Sequence, residues 1–328
     1  VGSEMCIRDR CRQVMRFKPG KLLIFDIYEN CAYELLMELQ QKYGRDIPVT
    51  VLVGSIRDKK RLDEVFETYH PTVVFHAAAH KHVPLMEVSP AEAVKNNVLG
   101  TKNLLVSASE HDVERFVQLS TDKAVNPTSV MGCTKRICEM LIQTFAGNTD
   151  MKCVAVRFGN VLGSHGSVIP LFEAQIKKGG PVTLTDPNIE RYFMTIPEAA
   201  QLVLQAGALA ESGSIYVLDM GEPVKIMDLA KQLIRFYGYE PGVNMDIKIV
   251  GLRPGEKLYE ELMMDEEQDK MRRTQHNKIF VASPRSIDLA EFYGQLQELA
   301  AAAEHNDEGV VQQLSLIHIS EPTRPLYI

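Results

Sequence analysis

The sequence lacks the features that mark nucleic-acid-binding and membrane proteins. Its formal net charge is −7, so no long-range positive field attracts nucleic acid or an anionic membrane surface. The longest apolar stretch, residues 199–210, contains two glutamines and is too short to cross a bilayer. No signal-peptide pattern opens the chain, and no internal repeat is visible. We therefore expect no nucleic-acid partner and no membrane contact by this stretch of chain.

The chain also lacks paired cysteines. Its six cysteines form neither a CxxC pair nor a regular framework, and they are Cys6, Cys11, Cys31, Cys133, Cys138 and Cys153. Isolated thiols are typical of the reducing cytoplasm, whereas secreted disulfide-rich domains and zinc sites show regular spacings. We therefore expect a cytoplasmic protein without a metal site.

Length and composition favour one large α/β unit with an appended lobe. The 328 residues exceed the usual size of one domain, and 45% hydrophobic with 24% charged residues is ordinary for a globular protein. Both ends are unusual, because residues 1–10 and 314–328 resemble translated sequencing-adapter sequence and show no sustained periodicity. We expect the native sequence to begin at Cys11, and we assign no regular element to either end.

Short apolar, β-rich runs alternate with segments of helical period along the first half of the chain. The predicted strands are residues 21–26, 49–54, 72–78, 115–121 and 152–160, and the predicted helices are 32–42, 59–69, 91–110 and 131–145. This alternation predicts a doubly wound parallel sheet with helices on both faces. Beyond Gly163 the rhythm loosens, and short strands between helices at 197–209 and 226–237 predict a smaller C-terminal α/β lobe.

Several residues stand where a doubly wound sheet binds a dinucleotide. Such a cofactor lies across the carboxyl ends of the strands with its pyrophosphate on a glycine-rich turn, but no GxGxxG-like turn is present. Asp26 ends the first predicted strand, where a carboxylate would bind the adenosine ribose, and Asp58 follows the second, near the adenine edge. Ala77, Ala78 and Ala79 would let a flat cofactor approach the backbone closely, and Asn97 is a polar residue of the next helix.

Each of these residues also has a plain structural interpretation. Asp26 is equally typical of a turn, and Asp58 of a helix N-cap. Small residues such as Ala77–Ala79 can simply pack, and solvent exposure would explain Asn97.

Residues 118–135, QLSTDKAVNPTSVMGCTK, carry the strongest chemical signal. A hydroxyl, a carboxylic acid and an amine, from Thr121, Asp122 and Lys123, leave the end of a predicted buried strand and form an acid/base set. Met131 and Lys135 are four residues apart at the start of the next helix, so they share one face. The structural alternatives are an Asp122–Lys123 ion pair in a turn, a core methionine and a solvated helix lysine.

Six strings carry a family resemblance: HKHVPLME, NNVLGTKNLL, STDKAVNPTSVMGCTK, RFGNVLGSHGSVIP, RYFMTIPEA and RPGEKLYEEL. From about Cys11 to Asp265 the chain resembles the extended short-chain dehydrogenase/reductases. Within them it is similar to the capsular polysaccharide nucleotide-sugar dehydratases that act on UDP-N-acetylglucosamine-type substrates. The resemblance implies a Rossmann-type sheet, here without its first strand and glycine loop. It implies an NAD(P)-binding domain at residues 11–165 and about 188–220, a UDP-sugar lobe at about 166–187 and 221–300, and a tail at 301–328.

The resemblance also implies roles in a 4,6-dehydration. Thr121 would hydrogen-bond the C4 hydroxyl of the sugar, Asp122 would protonate the departing C6 hydroxyl, and Lys123 would take the C5 proton. Lys135 would bind the nicotinamide ribose of NAD or NADP. Met131 stands where the broader family has tyrosine, and because a thioether cannot move the C4 proton, another group must do so. Methionine here resembles a branch of membrane-anchored dehydratases, whose members carry transmembrane helices upstream.

The second half of the chain offers residues for the nucleotide. Arg191 and Arg253 are candidates for the diphosphate, because a guanidinium pairs bidentately with phosphate oxygens. Asn160 could contact sugar or phosphate, and Glu256 could orient Arg253 or bind the ribose. Taken alone, each arginine could equally form a surface ion pair of little energetic weight.

We therefore expect an NAD(P)-dependent UDP-N-acetylhexosamine 4,6-dehydratase for surface polysaccharide synthesis, acting as a homo-oligomer. Two alternatives stay open. A nucleotide-sugar epimerase of the same superfamily needs no C6 acid, so Asp122 and Lys123 argue against it. A catalytically inactive binding or scaffold fragment is favoured by Met131 and by the missing glycine loop.

Overall fold

The computed structural model describes residues 4–164, 166–283 and 287–315, with side chains from Arg8 onward. Within these ranges the helices are α1 (Glu4–Arg16), α2 (Glu29–Tyr43), α3 (Lys59–Tyr69), α4 (Val83–Val88), α5 (Pro90–Ala93), α6 (Gly100–Glu110), α7 (Val130–Ala146), α8 (Val168–Lys177), α9 (Ile196–Leu209), α10 (Ile226–Phe236), α11 (Asp265–Asp269), α12 (Leu289–Glu304) and α13 (Glu308–Gln313). A π-helical turn, Val94–Leu99, joins α5 to α6, and a 3₁₀ turn, Asp122–Ala124, precedes α7. No helix in the described ranges is long and apolar enough to span a membrane.

The strands are short, and most of them alternate with helices along the chain. They are β1 (Leu22–Asp26), β2 (Val49–Val53), β3 (Val73–His76), β4 (Arg115–Leu119), β5 (Lys152–Arg157), β6 (Asn160–Val161), β7 (Val182–Leu184), β8 (Glu190–Arg191), β9 (Phe193–Met194), β10 (Ile215–Leu218), β11 (Val224–Lys225), β12 (Ile247–Ile249), β13 (Arg272–Arg273) and β14 (Ile279–Ala282).

The central sheet has six strands in the order β13-β14-β10-β5-β4-β3. The strands β3, β4, β5 and β10 are parallel, and β14 and then β13 extend the sheet in antiparallel fashion. Parallel strands need helical crossovers, which α6, α7 and α9 provide. The predicted Rossmann-type α/β class is confirmed.

Helices cover both faces of this sheet because side chains alternate along each strand. Phe116 and Cys153 point to one face and pack with apolar residues of α6, α7 and α12. Their neighbours Val117 and Val154 point to the other face and pack against α9. A third apolar cluster is formed by α8, β7 and α10 and belongs to the second half of the chain. The domain boundaries given above stay a prediction.

The strands β1 and β2 form a separate parallel pair. In the classic doubly wound order 3-2-1-4-5-6, the first strand lies between the second and the fourth. If β1, β2 and β3 correspond to the second, third and fourth strands of that order, the first would lie between β1 and β3. No described strand bridges that position, in keeping with the missing first strand that the resemblance implies.

Helix α1 is a feature that the sequence analysis did not predict, because it begins at Glu4. Its second half is anchored on α2, where Arg12 donates to both carboxylate oxygens of Glu38 at 2.6 and 2.9 Å. Cys11 and Met15 are buried in a cluster with apolar residues of β1 and α2. A helix held in this way extends toward its N-terminus at little cost, because each added residue closes one more hydrogen bond.

The absence of a regular element was therefore wrong for residues 4–10. Their foreign origin stays a prediction. At the other end α13 stops at Gln313, and residues 316–328 lie outside the described part of the chain.

Candidate active site

The predicted acid/base residues lie in one tight turn after β4, residues 121–124, which we call the acid/base turn. Its backbone is tied to the end of β5, because the Ser120 N–H donates to the Val156 carbonyl at 2.7 Å and the Asp122 N–H to the Phe158 carbonyl at 3.1 Å. Thr121 caps the 3₁₀ turn, its hydroxyl oxygen accepting from the Lys123 N–H. The carboxyl end of a parallel strand is where α/β sheets bind ligands.

Asp122 is fully buried, and its carboxylate is hydrogen-bonded to the side chains of Thr121 and Lys123. Its Oδ1 accepts from the Thr121 hydroxyl at 2.8 Å and from the Lys123 ammonium at 3.0 Å. Its Oδ2 has no hydrogen-bond partner among the described residues. The three predicted residues therefore meet, and one carboxylate oxygen is left for another partner.

Lys123 lies between two carboxylates. Its Nζ is 3.0 Å from Asp122 Oδ1, 3.6 Å from Glu260 Oε1 and 3.5 Å from Asn160 Oδ1. Burial alone would lower the pKa of this amine, but the Asp122 and Glu260 carboxylates outweigh it and raise the pKa above its usual value. At neutral pH the side chain is therefore an ammonium ion, which has to lose a proton before it can act as a base.

Glu260 is a site residue that the sequence analysis missed. It follows Tyr259 in a segment without regular secondary structure, so no periodicity indicated that it rather than Glu261 points inward. Glu261 instead accepts from Asn126 at 2.9 Å and from Lys257 at 3.0 Å, near the surface. The signal that could have found Glu260 was its place in the string RPGEKLYEEL.

A cavity of about 130 Å³ opens beside the acid/base turn. Its lining includes Lys123 and Glu260 together with Arg191, Arg253 and Glu256. Lys123, predicted to act on the sugar, and the two arginines predicted to hold the diphosphate therefore share one cavity wall.

The two arginines differ in how they are held. Arg191 is 9% exposed, and its guanidinium donates to the carbonyls of Glu190, Leu258 and Lys257 at 2.7 to 3.0 Å. These hydrogen bonds therefore hold in place the loop that lines the cavity. Arg253 is exposed, so its guanidinium can reach a ligand.

Glu256 connects the two arginines. Its Oε2 accepts from the backbone N–H of Arg253 at 3.1 Å, and its Oε1 lies 3.6 Å from Arg191. Its predicted link to Arg253 therefore runs through the backbone and not the guanidinium.

Helix α7, which carries Met131 and Lys135, packs against the acid/base turn. Gly132 permits this contact, because a Cβ there would lie 2.3 Å from the Lys123 carbonyl oxygen. Met131 is 3% exposed and packs with Val130, Met86 and Ala93, as its core interpretation predicts. The solvated interpretation of Lys135 is wrong, because its buried Nζ donates to the Leu119 carbonyl at 2.6 Å. Burial lowers the pKa of this amine.

A buried ionic cluster is hydrogen-bonded to the residue that precedes the acid/base turn. The Arg157 guanidinium pairs with Glu139 at 2.8 and 3.0 Å and with Glu267 at 2.8 Å, and all three side chains are at most 1% exposed. Arg136 donates to Glu139 at 3.0 Å, and the Ser120 hydroxyl donates to Glu139 at 2.6 Å. The cluster thus links β5, α7 and α11 to the residue that precedes Thr121.

The residues predicted for the cofactor lie along the carboxyl ends of β1, β2 and β3. Asp26 is half-buried, and its Oδ1 accepts from the Tyr28 N–H at 2.9 Å. Asp58 is exposed and caps α3, accepting from the Arg61 N–H at 3.0 Å, as its structural interpretation predicts. Ala77–Ala79 are half-buried in the loop after β3. The ribose contact of Asp26 and the adenine contact of Asp58 stay predictions.

The structure does not place Asn97 at the surface, where its structural interpretation predicted it to lie. It is 1% exposed, so solvent exposure does not explain it. Its amide donates to the His80 carbonyl and to Thr134 at 3.0 Å, and its Oδ1 accepts from the His80 N–H at 2.8 Å. The π-helical turn, with its extra residue, carries Asn97 toward this loop. Asn97 therefore holds the loop after Ala79 against α7.

The geometry fits the two ends of a nicotinamide dinucleotide better than its middle. The half-buried small residues after β3 leave backbone accessible to a flat ring, and Asp26 stands at the strand end where a ribose would lie. Within the described residues, no GxGxxG-like turn follows a strand to receive the pyrophosphate.

Comparison with known proteins places the chain in a family of polysaccharide biosynthesis proteins. A family model described as "Polysaccharide biosynthesis protein" matches residues 2–284. The chain is 56% identical over 264 residues to the capsular polysaccharide biosynthesis protein CapD of Staphylococcus aureus, covering 80% of this chain and 43% of that protein. It is 35% identical over 273 residues to a UDP-glucose 4-epimerase of Rickettsia canadensis, covering 82% of this chain and 78% of that one. The chain thus spans less than half of the CapD length.

Solved structures show the same architecture. The X-ray structure of Pen from Bacillus thuringiensis matches with a TM-score of 0.78 and 33% identity over 86% of both chains. DesIV from Streptomyces venezuelae, a dTDP-glucose 4,6-dehydratase solved with NAD and TYD bound, matches with a TM-score of 0.70 and 19% identity, covering 95% of this chain and 98% of that one. At that identity the second likeness concerns the fold alone.

Proposed function

The chain belongs to the polysaccharide biosynthesis protein family, and from this premise we propose that it is the catalytic part of an NAD(P)-dependent nucleotide-sugar 4,6-dehydratase. The substrate would be a UDP-N-acetylhexosamine, and the product a UDP-4-keto-6-deoxy sugar for surface polysaccharide. The observation that carries the proposal is that Thr121, Asp122 and Lys123 are hydrogen-bonded to one another in one turn. Lys123 lines a cavity that Arg191 and Arg253 also line.

The reaction needs an acid and a base on neighbouring carbons of the sugar. When bound, NAD(P) would remove hydride from C4 and later return hydride to C6. A C4 ketone acidifies the C5 hydrogen, so a side-chain base can take it while an acid protonates the departing C6 hydroxyl. We assign the base to Lys123 and the acid to Asp122, whose Oδ2 is unpaired among the described residues. Thr121 would hydrogen-bond the C4 hydroxyl.

The remaining predicted residues bind and orient the ligands. Arg253 would pair with the diphosphate, and Arg191 with Glu256 would hold the loop from which it projects. Asn160 Oδ1 lies 3.5 Å from Lys123 Nζ and would contact the sugar beside that amine. For the cofactor, Asp26 and Asp58 would bind the adenosine end and Lys135 the nicotinamide ribose.

The partners and the setting are part of the proposal. The isolated cysteines favour a reducing compartment, so the proposal sets the activity in the cytoplasm. The homo-oligomeric state of the protein stays a prediction, and sedimentation velocity of the purified chain would test it.

Two variants test the assignment of acid and base, in a protein whose first strand and glycine turn have been restored. We expect Lys123→Ala to transfer C4 hydride to the cofactor but to stop deuterium uptake at C5 from heavy water. Asp122→Asn should keep oxidation and C5 exchange, while water loss falls roughly 10²- to 10⁴-fold, the range for one general acid. If Asp122→Asn loses C5 exchange and Lys123→Ala keeps it, the two roles are reversed. Near-native turnover in both variants would remove the pair from catalysis.

A second candidate is a nucleotide-sugar 4-epimerase, which the 35% identity to the Rickettsia canadensis protein of that name favours. An epimerase returns hydride to C4 and needs no group that protonates a C6 hydroxyl. The buried Asp122 with its unpaired oxygen beside Lys123 supports the dehydratase.

A further inference from the structure

Glu260 is held in the cavity wall without partners for both of its carboxylate oxygens. Its Oε1 lies 3.6 Å from Lys123 Nζ and 3.9 Å from Arg191 Nε. Its Oε2 is buried and has no hydrogen-bond partner among the described residues. A buried polar atom without a partner costs free energy, so its retention in a cavity wall points to a function.

Lys123 lies between this carboxylate and Asp122. The distance from Lys123 Nζ to Asp122 Oδ1 is 3.0 Å, and the distance to Glu260 Oε1 is 3.6 Å. With Asp122 carrying the proton for the C6 hydroxyl, the Glu260 carboxylate keeps the amine protonated, whereas the proposed dehydration needs the amine neutral when the C5 hydrogen is removed. A proton acceptor for Lys123 is therefore required, and Asp122 cannot serve while it holds its own proton for the C6 hydroxyl.

We infer that Glu260 is the proton partner of Lys123, taking the ammonium proton so that Lys123 can act as a base. This inference rests on the proposed dehydratase function. An N–H bond of Lys123 breaks and an O–H bond forms on Glu260. The free amine then takes the C5 proton, and the C–H electron pair stays on the sugar as an enolate. Because Glu260 acts through Lys123, it is a positioning residue.

The proton count of the elimination step closes among the three residues. Elimination leaves Asp122 ionised, Lys123 as an ammonium and Glu260 protonated. Lys123 then passes a proton to Asp122 across the 3.0 Å contact and takes one from Glu260. The three residues return to their starting state without net gain or loss of protons.

The charges that face Glu260 support this behaviour. Burial is the largest effect on the Glu260 carboxyl and raises its pKa. The positive charges of Lys123, Arg191 and Lys257 lower this pKa, and the negative charge of Asp122 raises it. The net result is a pKa above the usual value. A carboxyl with a raised pKa holds its proton closer to neutral pH. Glu260 has to be ionised to accept a proton, so activity should fall as the pH falls through this raised pKa.

The first test needs neither cofactor nor turnover. Infrared spectra of the 328-residue chain during a pH titration report the protonated carboxylic acid band. We expect a band that persists above the pH at which exposed glutamates ionise, near 4.3. It should weaken by the intensity of one carboxyl group in Glu260→Gln, where an Asp122 contribution remains, and keep its full intensity in Glu298→Gln, which removes an exposed carboxylate of α12. An unchanged band in Glu260→Gln would overturn the proposal, whatever the enzyme's reaction.

The second test uses the protein with its first strand and glycine turn restored. At neutral pH, C5 deuterium exchange should fall about 100-fold in Glu260→Gln, the low end for one acid/base group. The acidic limb of the kcat/KM pH profile should disappear in that variant and return, with part of the rate, in Glu260→Asp. A loss of rate at all pH values with the acidic limb intact would mean a merely structural role and overturn the proposal. If the wild type forms no dehydrated product, the proposed function fails, and the infrared titration still decides whether Glu260 carries a proton.

Discussion

Replacing Glu139 by glutamine should remove much of the stability of the sheet domain. Glu139 is completely buried and accepts hydrogen bonds from Arg157, Arg136 and Ser120 at 2.6 to 3.0 Å. The substitution keeps the shape but leaves two buried guanidinium groups with Glu267 as their remaining carboxylate. Breaking a buried ion pair in this way costs about 3–5 kcal/mol. We expect the unfolding free energy to fall by that amount.

Urea denaturation followed by far-UV circular dichroism measures this loss. The matched control is Glu240→Gln, which breaks the Arg235 pair on the surface, where both side chains are more than half exposed. An exposed pair contributes about 0–1 kcal/mol, so the control should unfold almost as the wild type does.

The effect depends on pH with a definite sign. Burial would raise the pKa of Glu139, but Arg157 and Arg136 outweigh it and lower that pKa below its usual value. A carboxyl with a lowered folded-state pKa stabilises the fold above its unfolded-state pKa, and this stabilisation is lost as the pH falls through the folded-state pKa. The gap between wild type and Glu139→Gln should therefore be full at pH 7 and shrink in acid. A loss below about 1 kcal/mol at pH 7 would show that the cluster does not hold the domain together.

Three further outcomes follow from the site. Met131→Tyr should fold and gain less than about 100-fold in rate in the restored enzyme, since Met131 lies in an apolar cluster; a larger gain in steady-state turnover would show that the C4 proton was limiting. Gly132→Ala should lower the unfolding free energy by about 1–3 kcal/mol and the dehydration rate with it, because the new Cβ overlaps the Lys123 carbonyl; native values of both would contradict the close contact. The chain as it stands should bind NAD or NADP weakly in calorimetric titration, because the pyrophosphate lacks its backbone donors; micromolar affinity would refute this.

Local periodicity predicts most of the fold. The apolar runs at residues 115–121 and 152–160 became β4 and β5, and the 3.6-residue pattern at 131–145 became α7. These predictions succeed because a buried strand or an amphipathic helix shows its pattern within a few residues. The predicted helix at 91–110 is instead divided by the π-helical turn Val94–Leu99, which no such pattern reveals.

The candidate site is less visible in the sequence. Thr121, Asp122 and Lys123 could be found because they are consecutive after a strand. Local periodicity did not reveal Glu260 or the Glu139–Arg157 pair, because their partners lie 18 to 137 positions away in the chain. A lone glutamate in an irregular segment looks the same whether it is buried or exposed until tertiary packing is known.

The most direct test of the account is the product formed from UDP-N-acetylglucosamine in heavy water by the restored enzyme with NAD or NADP. Proton NMR and mass spectrometry should show a 4-keto-6-deoxy sugar that has lost one water and carries solvent deuterium at C5. Recovery of an isomer that has lost no water and has changed its configuration at C4 would contradict the dehydratase assignment and establish the epimerase.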